Sequence, residues 1–483
     1  MNRMRCPFSA FACLTASVLG CTSDVHVDIY LVRSPDVNED PLIPGVTSDV
    51  RLHISGPGMN PKEIVSPYVP GGATEMPEVP LGKDRVLTVE GLKSDGLVLS
   101  RGRSLPLTIN DETDSVTLLI ARVGRFSYTP GNGLKVGRFG HVTALTNDGE
   151  LAVAGGGTEG TADAPETPTG TIEIYNPTDG SVRRLPCDEA CGAAPGIFGN
   201  MLPINDGLLL LSGQGQDPPA AAFFDPTQET VSPLSLSVIA RYGAAGVSAA
   251  DCIVLAGGII EGEPTDDVEI IDAFYGVERL SLSDARTGLA GAGTSDTAVF
   301  FGGFDAEGVA TSDIFIVDPA DGVVRRFETS LEPRAHARAV TLSDDRILLV
   351  GGETGEGTSA ESIDLVDPAQ SIACPVGTLK TGVRHAAATL LSDGRVLVIG
   401  GLAGGLTGTP VTSAVILDPR YIELSEDCTE SSGTLFTTDI PPTGTARYLA
   451  EARRLPNGSV ALVGGLSASG TPIRQIEVFV PEE

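Results

Sequence analysis

The sequence predicts an all-β protein in which a seven-bladed β-propeller follows a small β-sandwich. Three observations lead to this prediction. A hairpin-like phrase returns seven times in residues 123–483, which is typical of repeat architectures. Glycine is abundant, at 59 residues, whereas aromatic residues make up 5% and tryptophan is absent, a balance that suits many short strands joined by tight turns. Helical periodicity is hard to find anywhere in the chain.

Residues 1–20 have the build of an export signal. Arg3 and Arg5 precede an apolar stretch that is too short to be a stable membrane anchor. The stretch ends in Val-Leu-Gly before Cys21, which resembles the lipobox of bacterial lipoproteins and implies cleavage before Cys21 and acylation of its thiol. Thr22 follows, where retention in the inner membrane would favour Asp, so the resemblance implies the outer membrane or the cell surface. The alternative is an ordinary signal peptide with Cys21 as a plain cysteine, and both interpretations export the chain.

The formal net charge of the chain is −31. Such a surface repels phosphate backbones and anionic lipid headgroups, so nucleic acid is a poor candidate partner. Membrane attachment is therefore expected through the lipid on Cys21 and not through a basic patch.

Residues 21–122 precede the repeats and are predicted to form the β-sandwich-like domain. Apolar or alternating runs of strand length alternate there with turn-rich segments. These runs lie at residues 25–32, 50–55, 85–92, 96–100 and 115–122.

The repeated phrase consists of a turn, an apolar strand and a pair of glycines, and the second copy has a single glycine. Successive copies lie 44 to 64 residues apart, which brackets the length of about 50 residues known for one class of propeller repeat. The first glycines stand at positions 155, 213, 257, 302, 351, 400 and 464.

An arginine precedes nearly every glycine pair by sixteen or seventeen positions, with Gly196 in its place in the second copy. A strand that ends in Asn or Asp, mostly followed by Pro, comes after the pair, and a further short strand comes next. Each copy thus supplies four strand-sized runs, enough for one antiparallel blade. The arginines are Arg138, Arg241, Arg286, Arg334, Arg384 and Arg447.

With these motifs the chain resembles kelch-repeat propellers, including their galactose-oxidase-like bacterial relatives. The nearest matches are Arg-Phe-Gly-His at 138–141 and Asp-Gly-Arg-Val-Leu-Val-Ile-Gly-Gly at 393–401. The resemblance covers about residues 123–483 and implies the propeller. The missing tryptophan of eukaryotic kelch motifs argues against a cytoskeletal adaptor. The last copy stops before a fourth strand, which residues just before Arg138 are expected to supply.

The repeat arginines allow two interpretations. Guanidinium groups at one repeat position could point toward a common channel mouth and receive an anionic sugar or a carboxylate. In the propellers that the chain resembles, this arginine belongs to the repeat pattern, which implies a structural role bonded to carbonyl or acidic groups of the adjacent blade. The structural interpretation is preferred.

Three of the five histidines, His141, His336 and His385, follow a repeat arginine closely. A metal centre needs converging ligands, whereas one repeat position is spread around a ring, so hydrogen bonding between strands is the preferred role and no metal is expected. No motif locates the copper site of galactose oxidase, and no hydrolase or nucleotide-binding motif is present. We therefore expect no catalytic residue and no cofactor.

Five cysteines follow the lipobox, and export permits disulfides. Cys187 and Cys191 are close enough for a small loop-closing bridge, and Cys374 and Cys428 occupy similar places in consecutive repeats. Both pairings are hypotheses. Cys252 lies on an apolar strand and is interpreted as a small buried hydrophobe.

The favoured function is a non-catalytic lipoprotein of the cell envelope whose propeller binds a protein or glycan partner. It rests mostly on architecture. The alternative is an extracytoplasmic carbohydrate-active enzyme with its site at the propeller channel mouth. Buried carboxylates or a metal converging at that mouth would favour the enzyme, whereas a channel filled by Gly, Ala and Val would count against it.

Overall fold

The computed structural model describes residues 24–36, 39–70, 78–131, 133–161, 165–185, 195–211, 213–215, 220–405, 407–425, 428 and 432–482. These residues contain strands and no α-helix, so the all-β prediction is confirmed. None of the described residues therefore belongs to a helix of membrane-spanning length and hydrophobicity. The predicted export signal, Cys21 and the hypothetical bridge between Cys187 and Cys191 lie outside the described residues.

Ten strands precede the repeats: β1 Asp24–Val25, β2 Asp28–Val32, β3 Asp49–Ser55, β4 Lys62–Pro67, β5 Val79–Pro80, β6 Gly82–Leu92, β7 Val98–Arg103, β8 Leu107–Ile109, β9 Ser115–Leu119 and β10 Ala121–Arg122. β1 pairs with β5, and β2 pairs in parallel with β9. The others form a six-stranded sheet in the order β10, β7, β6, β3, β4, with β8 beside β6. Leu118 of β9 shares one apolar core with Leu52 of β3 and Leu87 of β6, so two layers of sheet enclose this core.

The rest of the described chain forms seven antiparallel sheets, numbered 1 to 7, one for each predicted repeat. One strand, β11 Phe126–Tyr128, precedes sheet 1 along the chain. Sheet 1 consists of β12 Val142–Leu145, β13 Leu151–Ala154, β16 Ile172–Tyr175 and β17 Val182–Arg184, with the hairpin β14 Gly157–Gly160 and β15 Pro165–Pro168. Sheet 2 consists of β18 Asn200–Ile204, β19 Gly207–Leu211, β20 Ala221–Asp225 and β21 Thr230–Leu234. Sheet 3 consists of β22 Ala245–Ala249, β23 Cys252–Ala256, β24 Ile259–Ile260, β25 Glu263–Ile271 and β26 Val277–Arg286.

Sheets 4 to 7 repeat the same order of strands. Sheet 4 has β27 Ala290–Gly293, β28 Ala298–Phe301, β29 Ile314–Asp318 and β30 Val323–Phe327, and sheet 5 has β32 Arg338–Thr341, β33 Ile347–Val350, β35 Ser362–Asp367 and β36 Ile372–Thr378, with the pair β31 Arg334–Ala335 and β34 Glu353–Thr354. Sheet 6 has β37 Ala387–Leu390, β38 Val396–Ile399, β41 Ala414–Asp418 and β42 Phe436–Ile440, with the pair β39 Leu402–Ala403 and β40 Thr409–Pro410. Sheet 7 has β43 Glu451–Arg454, β44 Val460–Val463 and β45 Glu477–Phe479.

Sheet 7 takes its fourth strand from the other end of the repeat region. β11 pairs antiparallel with β45, with Phe126 opposite Phe479. The segment before Arg138 thus supplies the strand that the last repeat lacks, as the sequence predicts.

The second strand of each sheet is the most deeply buried. β33 and β38, with the sequences ILLV and VLVI, are buried along their whole length, whereas β42 at the outer edge is mostly exposed. A second strand lies between two strands of its own sheet and between two neighbouring sheets, so both of its faces are apolar. Leu397 of sheet 6 and Val460 of sheet 7, for example, belong to one core cluster.

The sheets contact one another in cyclic order. The first strands touch in the sequence β12, β18, β22, β27, β32, β37, β43, and β43 in turn contacts β12. The second glycine of a pair donates its N–H to a carbonyl of the next sheet, as from Gly303 to Arg334 at 3.0 Å. Gly465 of sheet 7 donates in the same way to Arg138 of sheet 1, at 2.8 Å.

The seven sheets have two distinct ends. The glycine pairs and the connections between second and third strands lie at one end, called here the glycine-pair end. The hairpins between first and second strands lie at the other, called the hairpin end. The N-terminal strands pack against the hairpin end, where Asn457 donates to the Arg103 carbonyl at 3.2 Å and Leu105 N–H donates to Thr178 at 2.9 Å.

Cys374 of β36 and Cys428 in the loop after β41 form a disulfide, with Cα atoms 5.5 Å apart. It links sheet 5 to sheet 6. Cys252 has a free thiol and is half-buried at the start of β23, less deeply than the sequence suggests.

Removal of this disulfide, as Cys374→Ala with Cys428→Ala, is expected to lower the free energy of unfolding by about 3–4 kcal/mol. The bridge closes a loop with a sequence separation of 54 residues and so restricts the unfolded chain. Urea denaturation with and without reductant measures the effect, and Cys252→Ala serves as the control. Equal midpoints for the oxidised and reduced protein would contradict this expectation.

Candidate functional site

Five repeat arginines are buried in ion pairs. Each lies four residues before the first strand of its sheet and reaches a carboxylate at or just before the third strand of the same sheet. The N–O distances are 2.5 Å for Arg138 with Glu173, 2.7 Å for Arg241 with Glu269 and 2.7 Å for Arg286 with Asp313; Arg334 pairs with Asp364 and Arg447 with Glu477. The expectation of partners from the adjacent blade is wrong, because the acid comes from the same sheet.

The remaining two sheets lack both members of the pair. Sheet 2 has Gly196 at the arginine position and Ala222 at the register position of the acid. Sheet 6 has Val383 and Val415 there. The two charges are absent together, as expected if a buried charge is tolerated only beside its partner.

Arg384 is therefore not a member of this set, although the sequence places it there. It lies three residues, not four, before β37, and its N–H and C=O pair with Leu402. Its guanidinium donates to the carbonyl oxygens of Gly404 and Gly405, at 3.1 and 3.0 Å, and its Nε lies 3.6 Å from Glu353. The one-residue shift takes Arg384 away from the ion-pair position and to the glycine-pair end, where the residue is still buried.

One position at this end has a positive φ in all seven sheets. It lies two residues before each first strand, and the residues are Gly140, Phe198, Gly243, Gly288, His336, His385 and Leu449. Backbone bonds join neighbours in this series, since His385 N–H donates to the His336 carbonyl at 3.4 Å and Leu449 N–H donates to the His385 carbonyl at 3.1 Å. These residues surround the axis of the cyclic arrangement closely.

The prediction that this repeat position keeps the histidines apart is wrong for His336 and His385. Their ring centroids are 4.5 Å apart, because sheets 5 and 6 are neighbours and the position lies near the axis. Phe304 of sheet 4 packs edge-on against His336, with centroids 5.6 Å apart. His141 belongs to a different position, one residue further along.

Glu353 completes the cluster. The nearest ligand atoms of His336, Glu353 and His385 all lie within 4.8 Å of one another, and all three residues are half-buried. Two imidazole nitrogens and a carboxylate oxygen can coordinate a divalent metal ion. The sequence reasoning missed Glu353, although alignment on the glycine pairs reveals it: the equivalent residues are Gly157, Gln214, Ile259, Phe304, Leu402 and Leu466.

The cluster is uncharged at His385. Burial, the neighbouring His336 and the positive charges of Arg384 and Arg338 hold the pKa of His385 well below its ordinary value. A neutral imidazole keeps a lone pair for a metal ion or a hydrogen-bond donor.

Charged side chains continue along the first strands. Arg338 of sheet 5 lies 2.8 Å from Glu451 of sheet 7 and donates to the Ala386 carbonyl at 2.6 Å. Burial opposes ionisation of Glu451, but Arg338 and Arg453 outweigh it and lower the pKa of the carboxyl. The innermost strands therefore carry fixed charge as well as small apolar residues.

His141 is buried between sheets 1 and 7, and neither ring nitrogen has a hydrogen-bond partner among the described residues. The expectation that it hydrogen-bonds between strands is wrong. Burial lowers the pKa of His141 to about 3, with Arg138 and Arg338 acting in the same direction and Glu451 opposing.

The low pKa of His141 predicts acid sensitivity. An unfolded histidine titrates near 6.5, so between pH 6.5 and 3 the unfolded chain binds a proton that the native state rejects, and stability falls as pH falls. When the pH falls from 7 to 5, the free energy of unfolding is expected to fall by about 2 kcal/mol less in His141→Leu than in the unsubstituted protein. Urea denaturation at the two pH values measures this difference. Identical pH dependences would contradict it, and exposed His26→Leu is the matched control.

Comparisons with known proteins add little. No family model matches the chain, and no curated protein matches it. A solved structure described as the structure of YjhT aligns with 72% of this chain and 96% of its own, at 12% sequence identity and a TM-score of 0.46. A likeness at this level carries no information about function.

Proposed function

We propose that this chain is an exported, lipid-anchored protein of the cell envelope, and that its seven sheets form a kelch-like β-propeller that binds a protein or glycan partner without catalysis. The observation that carries the proposal is the difference between the two ends. The N-terminal strands pack on the hairpin end. In every sheet the connection between the second and third strands, at the glycine-pair end, is longer than the connection between the first and second strands, at the hairpin end.

The cyclic contacts support the propeller. Seven sheets of one pattern, with the last joined to the first through Gly465 and Arg138, leave only short outer edges for unwanted pairing. The fourth strand of sheet 7 comes from the start of the repeat region, which ties the two termini of that region together.

The connections support the choice of end. In sheet 4, twelve residues separate Phe301 from Ile314 at the glycine-pair end, whereas four separate Gly293 from Ala298 at the hairpin end. In sheet 6 the corresponding connections hold fourteen and five residues. Binding residues are disproportionately found on such loops, held in place by a rigid scaffold.

Attachment through the lipid on Cys21 follows from the lipobox resemblance, and the acidic composition fits a partner that is neither nucleic acid nor anionic lipid. With the N-terminal strands next in the chain, the lipid would connect to the hairpin side. The glycine-pair end would then face away from the membrane.

The test is affinity capture from detergent-solubilised envelopes, with the mature chain carrying Cys21→Ser as bait and mass spectrometry as the readout. Two variants with equal charge change discriminate between the ends. Glu307→Arg with Glu356→Arg alters the glycine-pair end, and Asp148→Arg with Asp206→Arg alters the hairpin end; all four side chains are exposed.

The proposal expects a stoichiometric partner that the hairpin-end variant retains and the glycine-pair variant loses. Loss in the hairpin-end variant alone would refute the choice of surface. Absence of any stoichiometric partner for the unsubstituted bait, together with no binding on a glycan array, would refute the binding function.

The carbohydrate-active enzyme remains the second candidate, because Glu353 converges with His336 and His385 at the mouth and Glu451 lies inside. Glycan hydrolysis or oxidation that Glu353→Gln abolishes would establish it. No turnover across a panel of envelope glycans, with and without added divalent metal ions, would exclude it.

A further inference from the structure

We propose that His336, Glu353 and His385 bind a divalent transition-metal ion of the zinc type at the centre of the glycine-pair end. This site goes beyond the proposed partner binding and does not depend on it.

The geometry is the first support. The three ligand atoms lie within 4.8 Å of one another, on two neighbouring sheets joined by the backbone bond from His385 to His336. An ion with bonds of about 2.1 Å holds tetrahedral donors roughly 3.4 Å apart, so the distances between ligand atoms must shorten by up to about 1.4 Å. The imidazole rings and the carboxylate end rotatable side chains, so side-chain rotation is the expected route to this shortening.

The repeats provide the second support. At the position of positive φ, sheets 1, 3 and 4 have glycine, sheets 2 and 7 have Phe198 and Leu449, and sheets 5 and 6 have histidine. A side chain in this backbone conformation costs about 1–2 kcal/mol. Glu353 likewise stands where other sheets have glycine, glutamine or an apolar residue. The three side chains of this set that can bind a metal ion thus occur together, in adjacent sheets and at one place.

Charge and coordination are consistent with a cation. The net charge of −31 draws cations toward the protein. Arg384 lies 3.6 Å from Glu353, but a carboxylate offers about four lone-pair sites, so the ion pair and a metal bond can coexist. Three protein ligands leave a fourth position open to water or to a group of the bound partner.

The test is zinc binding by the untagged full-length mature chain carrying Cys21→Ser, measured by competition with a chromophoric chelator. Cobalt(II) absorption serves as a second readout, because its intensity and wavelength report nitrogen and oxygen donors. Removal of an outer hydrogen-bond partner alone commonly weakens a metal site 10- to 100-fold. His336→Gly, His385→Gly and Glu353→Gln are each expected to weaken zinc binding at least 100-fold.

Glycine is chosen because three sheets carry it at the histidine position, so the backbone is expected to accept it. Leu449→Gly makes the same change at the equivalent position of sheet 7 and should leave zinc affinity within threefold of the unsubstituted protein. His26→Gly tests for adventitious binding at an exposed histidine. Thermal melts of all variants establish that each is folded.

One equivalent of zinc, lost in the three ligand variants and kept in both controls, is the expected result. No zinc binding at 100 μM, or ligand variants within threefold of the unsubstituted protein, would overturn the proposal. Capture of the envelope partner by the same variants separates the two proposals, since partner binding can persist without the metal and zinc binding can occur without a partner.

Discussion

Arg138→Val is expected to lower the free energy of unfolding by about 5 kcal/mol, at the upper end of the range for breaking a buried ion pair. Both Arg138 and Glu173 are fully buried, and the guanidinium also donates to the Gly155 and Thr171 carbonyls, at 3.0 and 3.1 Å. The substitution leaves the Glu173 carboxylate in the core without its counter-charge. Urea denaturation monitored by circular dichroism measures the loss of unfolding free energy.

The chain supplies its own control for this experiment. Sheet 6 has Val383 and Val415 at the two positions, so the double variant Arg138→Val with Glu173→Val copies a solution that the fold already contains. It should be clearly more stable than the single variant, because no unpaired charge remains. A double variant no more stable than Arg138→Val would contradict this account of the arginines.

Burial of an arginine–carboxylate ion pair costs desolvation free energy even when both partners are present. In sheet 7, burial raises the pKa of Glu477 in spite of the nearby Arg447 and backbone N–H, and burial lowers the pKa of Arg447 in spite of the carboxylate. Desolvation thus opposes the charged form of both partners. We infer that these pairs set the geometry between the first and third strands more than they add to net stability.

Gly302→Ala is expected to lower the free energy of unfolding by about 4–5 kcal/mol, from positive-φ strain and overpacking together. A Cβ at Gly302, where φ is 60°, would lie 2.1 Å from the Arg334 carbonyl oxygen of sheet 5 and 3.0 Å from that of Thr311. Both obstacles are backbone, so sheets 4 and 5 must separate and the bond from Gly303 to Arg334 is strained. Chemical denaturation measures this loss as well.

Gly308→Ala measures the cost of backbone strain at a positive φ in the absence of a steric clash. Gly308 has a φ of 77°, and a Cβ added there would have no other atom within 4 Å, so only the backbone strain of about 1–2 kcal/mol is expected. Equal losses for the two variants would contradict the role of the glycine pairs as close contacts between sheets.

Local patterns made the strands predictable. A run such as ILLV, bounded by an Asp-Asp turn and a glycine pair, specifies a buried strand without any knowledge of its neighbours. The same reasoning anticipated the strand before Arg138, because an incomplete last repeat needs a partner from elsewhere. Short pairs such as β1 with β5 escaped prediction, since two residues carry no periodicity.

The candidate site could not be predicted in the same way. The proximity of His336 and His385 depends on how near the repeat position lies to the axis, which no sequence spacing records. The misplacement of Arg384 by one residue arose because Arg384 stands sixteen positions before its first glycine, the same spacing as Arg241 and Arg286. Only the backbone register shows that Val383 occupies that position.

The central claim is that the glycine-pair end is the binding surface, and photocrosslinking tests it most directly. A photoreactive amino acid at Glu307, on the glycine-pair end, or at Asp206, on the hairpin end, is introduced into the full-length protein in the cells that produce it. The account predicts a specific crosslinked partner from position 307 and none from position 206. A partner crosslinked from position 206 and absent from position 307 would contradict it.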